Sequence, residues 1–454
     1  MDRLRKIWRD DDEQEYEPLA NSETEGDGRE HVRTQGNTAK GFSYVEYSIF
    51  LLLGISMLWA WNMFLAAGPY FQQRFRGSRW ISENFQAAEI SVSTFTNLSS
   101  MLVLTRMQAG ANYPKRIIVS LFINMAVFAL LAASTAINVG AGVYFGFLMV
   151  MMFCTSLATG FCQNGVFAYV SSFAEPKFTQ GIMTGQAVAG VLPCVAQIIS
   201  VLSVQAARGR PDHPPHGPPQ GSPPVNWKAA LAYFLTATAI SVATFFAFSY
   251  LVARNRQPKK LQNARGQDVP EDAERKSIPL LYLLKKLFWL AGGVFITFAV
   301  TMVFPVFTQQ IVSVRPPSEQ PAILHPPSFI PLALLFWNAG DLLGRLITAV
   351  PSLSLTQRPK LVFGLAIARL IWVGGYHLCN IKGRGAIVES DFFYLVVIQL
   401  FFGLSNGYLG STCMIGASEW VEEDEREAAG GFMGLCLVSG LTVGSLFSFL
   451  VSGT

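Results

Sequence analysis

Charge is scarce in this 454-residue chain: Asp, Glu, Lys and Arg make up 14% of it, against roughly 25% in ordinary soluble domains. With 51% hydrophobic residues and a mean hydropathy of +0.35, that scarcity excludes a conventional soluble domain. An excess of one sign is also missing. The net charge is only +4, and no basic stripe marks nucleic acid as a partner. The six cysteines, Cys154, Cys162, Cys194, Cys379, Cys413 and Cys436, include no CxxC pair. Neither a disulfide framework nor a zinc site is indicated, and no metal or other cofactor is expected. His213 and His216 lie close together in a proline-rich stretch, with no further ligand beside them. Of the five histidines, only His377 falls clearly inside an apolar segment. A membrane-embedded enzyme would need clustered His or Asp there, so enzymatic activity is not expected. No GxxxxGK[ST] loop occurs, which removes ATP hydrolysis as a driving force. The first forty residues carry charge and no apolar core, so no cleavable signal peptide is expected.

What is abundant is apolar length. Eleven apolar segments follow Lys40, at about 44–67, 86–106, 116–138, 141–171, 180–206, 228–253, 284–313, 327–350, 359–380, 391–413 and 427–451. Each is long enough to cross a bilayer as a helix, and the longest should tilt or kink. The expected fold class is an all-α polytopic membrane protein of 11 transmembrane helices, with lipid as an obligatory partner. The 39 glycines suit close helix packing. Residues 1–40 mix both signs of charge and lack apolar residues, so they read as a disordered cytoplasmic tail. RGRPDHPPHGPPQGSPP, between segments five and six, reads as an extended external loop.

Residues 254–283 are basic, including Arg254, Arg256, Lys259, Lys260, Arg265 and Lys276. Basic connections stay cytoplasmic, so this loop and the N-terminus should share the inner side. An odd number of spans then puts the C-terminus outside. Arg74, Arg76 and Arg79, placed outside, run against the charge rule. Arg275-Lys276-Ser277 is a candidate kinase site in the same loop. The loop divides the chain 6+5, into a bundle over 41–253 and a second over 284–454, a common transporter plan around a central site.

Inside segment eight lies a polar stripe. Leu334, Asn338, Asp341 and Arg345 fall at offsets 0, 4, 7 and 11, so all four point the same way from one helix. An Asp and an Arg near the centre of such a helix each cost about 2.5–3.5 kcal/mol on insertion scales. That is tolerated facing a bundle interior or a water-filled cavity, which makes the stripe a candidate substrate pathway. The acid sits four residues before the base, a spacing that favours mutual contact. A structural ion pair or a cytoplasmic gate would use the same two residues. On segment one, Trp61 and Leu65 share a face. Trp61 offers a flat apolar surface for a planar ligand, or an anchor at the membrane interface. Gln163 has an amide able to donate and accept at the edge of a nucleobase, or to bond another helix. Arg369 reads as an inter-helix or gating partner, and Glu427 as a cap or part of a cytoplasmic gate.

At these residues the chain resembles the equilibrative nucleoside transporters, over nearly all of its length after the tail. Ala60-Trp61-Asn62-Met63-Phe64 is similar to the family's P-W-N-x-F, with Ala in place of Pro. Trp337-Asn338-Ala339-Gly340-Asp341-Leu342-Leu343-Gly344-Arg345 matches F-N-x-x-D-x-L-G-R, with Trp in place of Phe. Val303-Phe304-Pro305, Phe402-Gly403-Leu404-Ser405-Asn406-Gly407-Tyr408 and the last segment from Glu427-Ala428-Ala429-Gly430 to Phe449 complete the series in order. The resemblance implies a bundle similar to the major facilitator fold and facilitated movement of purine and pyrimidine nucleosides, with nucleobases as a related cargo, by alternating access. It implies that Asp341 and Arg345 hold the ribose hydroxyls and that Gln163 and Asn338 address the base. It gives Trp61, Leu65, Leu334, Phe304 and Leu441 as the walls of the pocket.

A major-facilitator-type porter for sugars or other small polar solutes, a proton-coupled nucleoside transporter and a nutrient receptor are the alternatives. The overall pattern is most similar to fungal, vacuolar-type members. The sequence Glu13-Gln14-Glu15-Tyr16-Glu17-Pro18-Leu19 looks like an incomplete acidic sorting signal, with Ala20 where a second leucine would stand. A vacuolar or lysosomal membrane is therefore the expected location, with the plasma membrane as the alternative.

Overall fold

The computed structural model describes residues 43–173, 175–208, 227–264, 277–316 and 318–452. The acidic tail, the proline-rich loop with His213 and His216, and Arg275-Lys276 of the candidate kinase site lie outside the described residues. Fifteen α-helices run through the described chain: α1 Tyr44–Ala66, α2 Gly68–Arg74, α3 Arg79–Arg106, α4 Tyr113–Ser134, α5 Ala141–Ser171, α6 Pro176–Arg208, α7 Trp227–Ala264, α8 Leu280–Lys286, α9 Phe288–Thr301, α10 Val303–Thr308, α11 Pro326–Ile347, α12 Pro359–Ala368, α13 Ile371–Tyr376, α14 Phe401–Gly416 and α15 Arg426–Ser452. A π-helical stretch, Phe393–Leu400, leads directly into α14.

Among the described residues, ten stretches are long and apolar enough to cross a membrane. The remaining expected span, 86–106, lies within α3, a helix of 28 residues. It carries Glu89, Asn97 and a series of hydroxyls, and falls outside that set of ten. The expected segment 284–313 is broken at Met302, one turn around Phe304-Pro305, where proline has no N–H to continue the ladder. The expected segment 359–380 breaks at Arg369-Leu370, between α12 and α13. The crossing stretch Trp227–Asn255 lies close to the expected sixth span, 228–253, while its helix α7 continues to Ala264. Starts are set by ordinary chemistry. Asn112 Oδ1 accepts from the Lys115 amide at 2.9 Å to cap α4, and Pro326 and Pro359 occupy first-turn positions where no amide is needed.

Helices α1 and α3–α7 pack on one another, as do α9–α15; the two groups meet where α6 lies on α11 and α14 and where α3 and α5 lie on α15. The apolar cores show how. One cluster draws on both groups, with Phe50, Met101, Phe167, Leu290, Met414 and Met433 among its members. All of these lie toward the end of the bundle where α1 begins, here termed the near end. At the far end the cores are separate. One, around Phe64, Phe71, Phe128 and Phe234, belongs to the first group; another, around Phe304, Trp337, Tyr376 and Phe402, belongs to the second. The two groups therefore share apolar packing at one end only.

Candidate functional site: a buried charge network between the helix groups

The network begins with a backbone approach. Gly340 and Gly344 of α11 and Gly403 and Gly407, in α14, share a spacing of four. A Cβ at any of the four would run into backbone of the opposite helix: Leu400 or Leu404 for the first pair, Trp337 or Asp341 for the second. Small residues at this spacing let membrane helices touch backbone to backbone. The contact sets Asn406 directly against Asp341.

Asp341 then has both oxygens engaged. Arg345 Nε donates to Oδ2 at 2.8 Å, and Asn406 Nδ2 donates to Oδ1 at 2.6 Å. Both side chains of the ion pair are nearly dry, at 5% and 4% exposure. Arg345 also reaches across to the other helix group. Its Nη1 donates to the Met183 carbonyl at 2.6 Å and to Gln186 Oε1 at 3.1 Å, both on α6. A buried charge pair is stable only when its donors and acceptors are largely filled, and here Nε, Nη1 and both carboxylate oxygens are engaged. From Asn406 the chain of bonds continues inward. Thr301 Oγ1 donates to Asn406 Oδ1 at 2.6 Å, and Arg369 Nη2 donates to Thr301 Oγ1 at 3.1 Å. Arg369 bonds Ser405 Oγ at 3.1 Å and the Thr297 carbonyl, and its guanidinium sits 4.8 Å from the Phe402 ring centroid.

One expectation needs correcting. Asp341 and Arg345 do not lie at the middle of their helix. Helix α11 ends at Ile347, and Arg345 is in its last turn. The stretch 348–350, apolar in sequence, is a turn leading to Pro351, so the membrane-crossing helix is shorter at this end than the run of apolar residues. The pair thus belongs to the near end, where the two helix groups share a core.

The other singled-out residues spread outward from there. Asn338 is half-buried; its Nδ2 donates to the Leu334 carbonyl at 2.8 Å and approaches Cys194 Sγ of α6 at 3.5 Å. Its Oδ1 lies where a Cβ on Gly190 would be, which explains glycine there. Phe304 stacks on Trp337 with centroids 4.2 Å apart and 11° between planes, and Leu334 packs on the same cluster. Gln163 is buried on α5 and accepts from Asn97 Nδ2 of α3 at 3.4 Å. Trp61 is half-buried beside the first group's far-end core, and Leu65 is 55% exposed. Leu441 packs against the shared core. Glu427 stands in the first turn of α15. The arrangement brings Asn338, Asp341 and Arg345 together at the α6–α11 seam. It leaves Trp61, Gln163 and Leu441 on other helices, α1, α5 and α15.

Sequence reasoning missed Asn406 as a site residue, along with Gln186 and Thr301. The available signal was polarity inside apolar segments. Asn406 was visible inside a matched motif, but its partner could not be read from one helix alone.

Comparison with known proteins adds a separate line. A family model described as "Nucleoside transporter" matches residues 148–452. The chain is 26% identical to Nucleoside transporter FUN26 of Saccharomyces cerevisiae, over 90% of this chain and 84% of that one. It is 25% identical to Equilibrative nucleoside transporter 1 of Homo sapiens, over 88% and 95% respectively. In fold it is similar to the Escherichia coli fucose:proton symporter (TM-score 0.53, 12% identity, 90% of this chain and 96% of that one). It is likewise similar to the human organic anion transporter MFSD10 (TM-score 0.54, 11% identity, 89% and 92%).

Proposed function

The chain belongs to the nucleoside transporter family, and from that premise we propose that it moves purine and pyrimidine nucleosides across a membrane by facilitated alternating access. It is a multi-pass integral membrane protein with a major-facilitator-like architecture, and a transporter rather than an enzyme. The observation that carries the reading is the family match over 148–452, which contains the whole Asp341–Arg345–Asn406 network.

Asp341 supplies a carboxylate acceptor and Arg345 a guanidinium donor for ribose hydroxyls. Asn406 holds the carboxylate in place. Asn338 and Gln163 address the base, and Trp61, Leu65, Leu334, Phe304 and Leu441 form the apolar walls. Arg369 anchors the network from the second helix group, and Glu427 belongs to the near-end closure. In this assignment the near end is cytoplasmic, so the 254–283 loop and the N-terminus are inside and the C-terminus is luminal or extracellular. The membrane is vacuolar or lysosomal in type.

Transport then requires Arg345 to release Met183 and Gln186 so that the seam at the near end can part. The two helix groups rock about the site, and no ATP is consumed. The test is uptake of radiolabelled uridine and adenosine into proteoliposomes of purified protein. Saturable uptake, competed by unlabelled nucleoside, is the expected result. Sealed vesicles with folded protein and no uptake of either substrate would overturn the assignment.

A further inference from the structure

Glu89 is the one acidic side chain described in the helix interiors that has neither a charge partner nor a hydrogen-bond partner. It is 7% exposed, on α3, and its Oε1 is buried with nothing bonded to it. No described basic group lies within ion-pair reach of it. Asp341 differs in kind, because Arg345 and Asn406 occupy both of its oxygens.

Glu89 shares a face with Thr96 and Ser100, at offsets 0, 7 and 11, and all three are buried. Ser100 lies against Gly160 of α5, one turn before Gln163, and Asn97 bonds Gln163. The face therefore looks onto α5 and leads toward Gln163. The elements packed most extensively against α3 are α5, α15 and α2; α4 adds Arg116, which bonds the Leu104 carbonyl about 22 Å along α3 from Glu89. On α5 the titratable groups are Tyr144, Cys154, Cys162 and Tyr169. The Trp80–Phe145 and Ser100–Gly160 contacts place Cys154 near the level of Glu89, where a thiol offers no positive charge. On α15 they are Arg426, Glu427 and Cys436. Gly431 meets Thr105, which puts Arg426 and Glu427 at least about 24 Å along the helix from Glu89. On α2 they are Tyr70 and Arg74, and Arg74 is engaged by Tyr70, the Ile137 carbonyl and the Tyr144 ring. On α3 itself, Glu83 pairs with Arg79.

From this placement we propose that Glu89 is a proton-binding site that links the conformational cycle to pH. An ionised carboxylate buried without a counter-charge or donors is too costly to keep, so the packed state holds the neutral acid. Hydrating both oxygens of the ionised carboxylate requires the enclosed Oε1 to reach water, which requires α3 to shift against α5 or α15. Protons therefore favour the state described here, and their loss favours another. The transport arm of the test rests on the nucleoside reading; the stability arm does not.

Purified protein is melted between pH 5.5 and 8.0 without substrate, as wild type and as Glu89→Gln. The wild-type midpoint falls by about 2–4 °C across that range relative to Glu89→Gln. Glu89→Met, a second uncharged side chain of similar volume, reproduces the Glu89→Gln profile and serves if Gln does not fold. In proteoliposomes with equal pH on both faces, wild-type uridine exchange falls roughly fivefold from pH 5.5 to 8.0. The neutral variants hold the acid-side rate throughout. Parallel melting profiles for wild type and both variants would overturn the proton site, whatever the transport result. Absence of uridine exchange in all proteins, with divergent melting profiles, would leave the proton site standing and remove the nucleoside assignment.

Discussion

At the scale of single residues, the network around Asp341 predicts unequal consequences for its members. Arg345→Ala removes the donor to Asp341 and the reach to Met183 and Gln186 together. It should abolish nucleoside flux while the protein still reaches its membrane; normal uptake by that variant would remove Arg345 from the ribose. Asn406→Leu keeps volume but leaves Asp341 Oδ1 without its donor, while the Thr301 hydroxyl keeps the Thr297 carbonyl and Arg369. Unsatisfied buried groups of this kind cost about 1–3 kcal/mol each. A lower melting midpoint is expected with a partial loss of flux, and an unchanged midpoint would mean water fills the place. Gln163 differs, since its one described side-chain partner is Asn97 at 3.4 Å, a long bond. Gln163→Ala should alter the ratio of purine to pyrimidine uptake more than total capacity. Equal losses for uridine and adenosine would count against a role at the base.

At the scale of elements, the α11–α14 contact is the joint on which the network depends. Each of Gly340, Gly344, Gly403 and Gly407 faces backbone with no room for a Cβ. Gly344→Ala or Gly407→Ala must push the helices apart and lengthen the Asn406–Asp341 bond. Either variant should lose stability and flux together, and the double variant should lose less than the sum, because the first displacement already makes room for the second. Strict additivity, measured by melting, would show that the helices relax independently. The same joint marks how far the sequence could be read. The helical rods and the buried ion pair at i, i+4 were legible, because hydropathy and helical periodicity are local properties. The break at Met302 was signalled by Pro305, yet the break at Arg369 had no proline or glycine to announce it. The end of α11 was misplaced because Thr348, Ala349 and Val350 are apolar enough to extend the run, while the chain turns there to reach Pro351. That small error moved Arg345 from the helix centre to its last turn. Contacts between helices, such as Asn406 on Asp341 or Arg345 on Met183, join residues 65 and 162 positions apart and leave no trace in local pattern.

At the scale of the whole molecule, the distribution of apolar cores is the mechanical statement. One cluster ties both helix groups together at the near end, while the far-end clusters stay within their own groups. Arg345 crosses the α6–α11 seam within the tied end, so it acts as a polar latch set in an apolar closure. Alternating access requires this closure to open. A latch of a few hydrogen bonds is the part that mutation can weaken without dissolving the core. Met183 is buried at the seam and contributes its backbone carbonyl to Arg345, so Met183→Cys keeps that acceptor and places a thiol under the latch. In sealed vesicles a membrane-impermeant thiol reagent should label this cysteine slowly, and only from the face where α6 begins. Adding Arg345→Gln removes the guanidinium and should raise the labelling rate roughly tenfold, as the open population grows by a corresponding factor. The native thiols, all buried or half-buried, set the background against which the rate is read. Equal labelling with and without Arg345 would place the closure in the apolar cluster alone. Labelling from the far face would reverse the assignment of which end is shut.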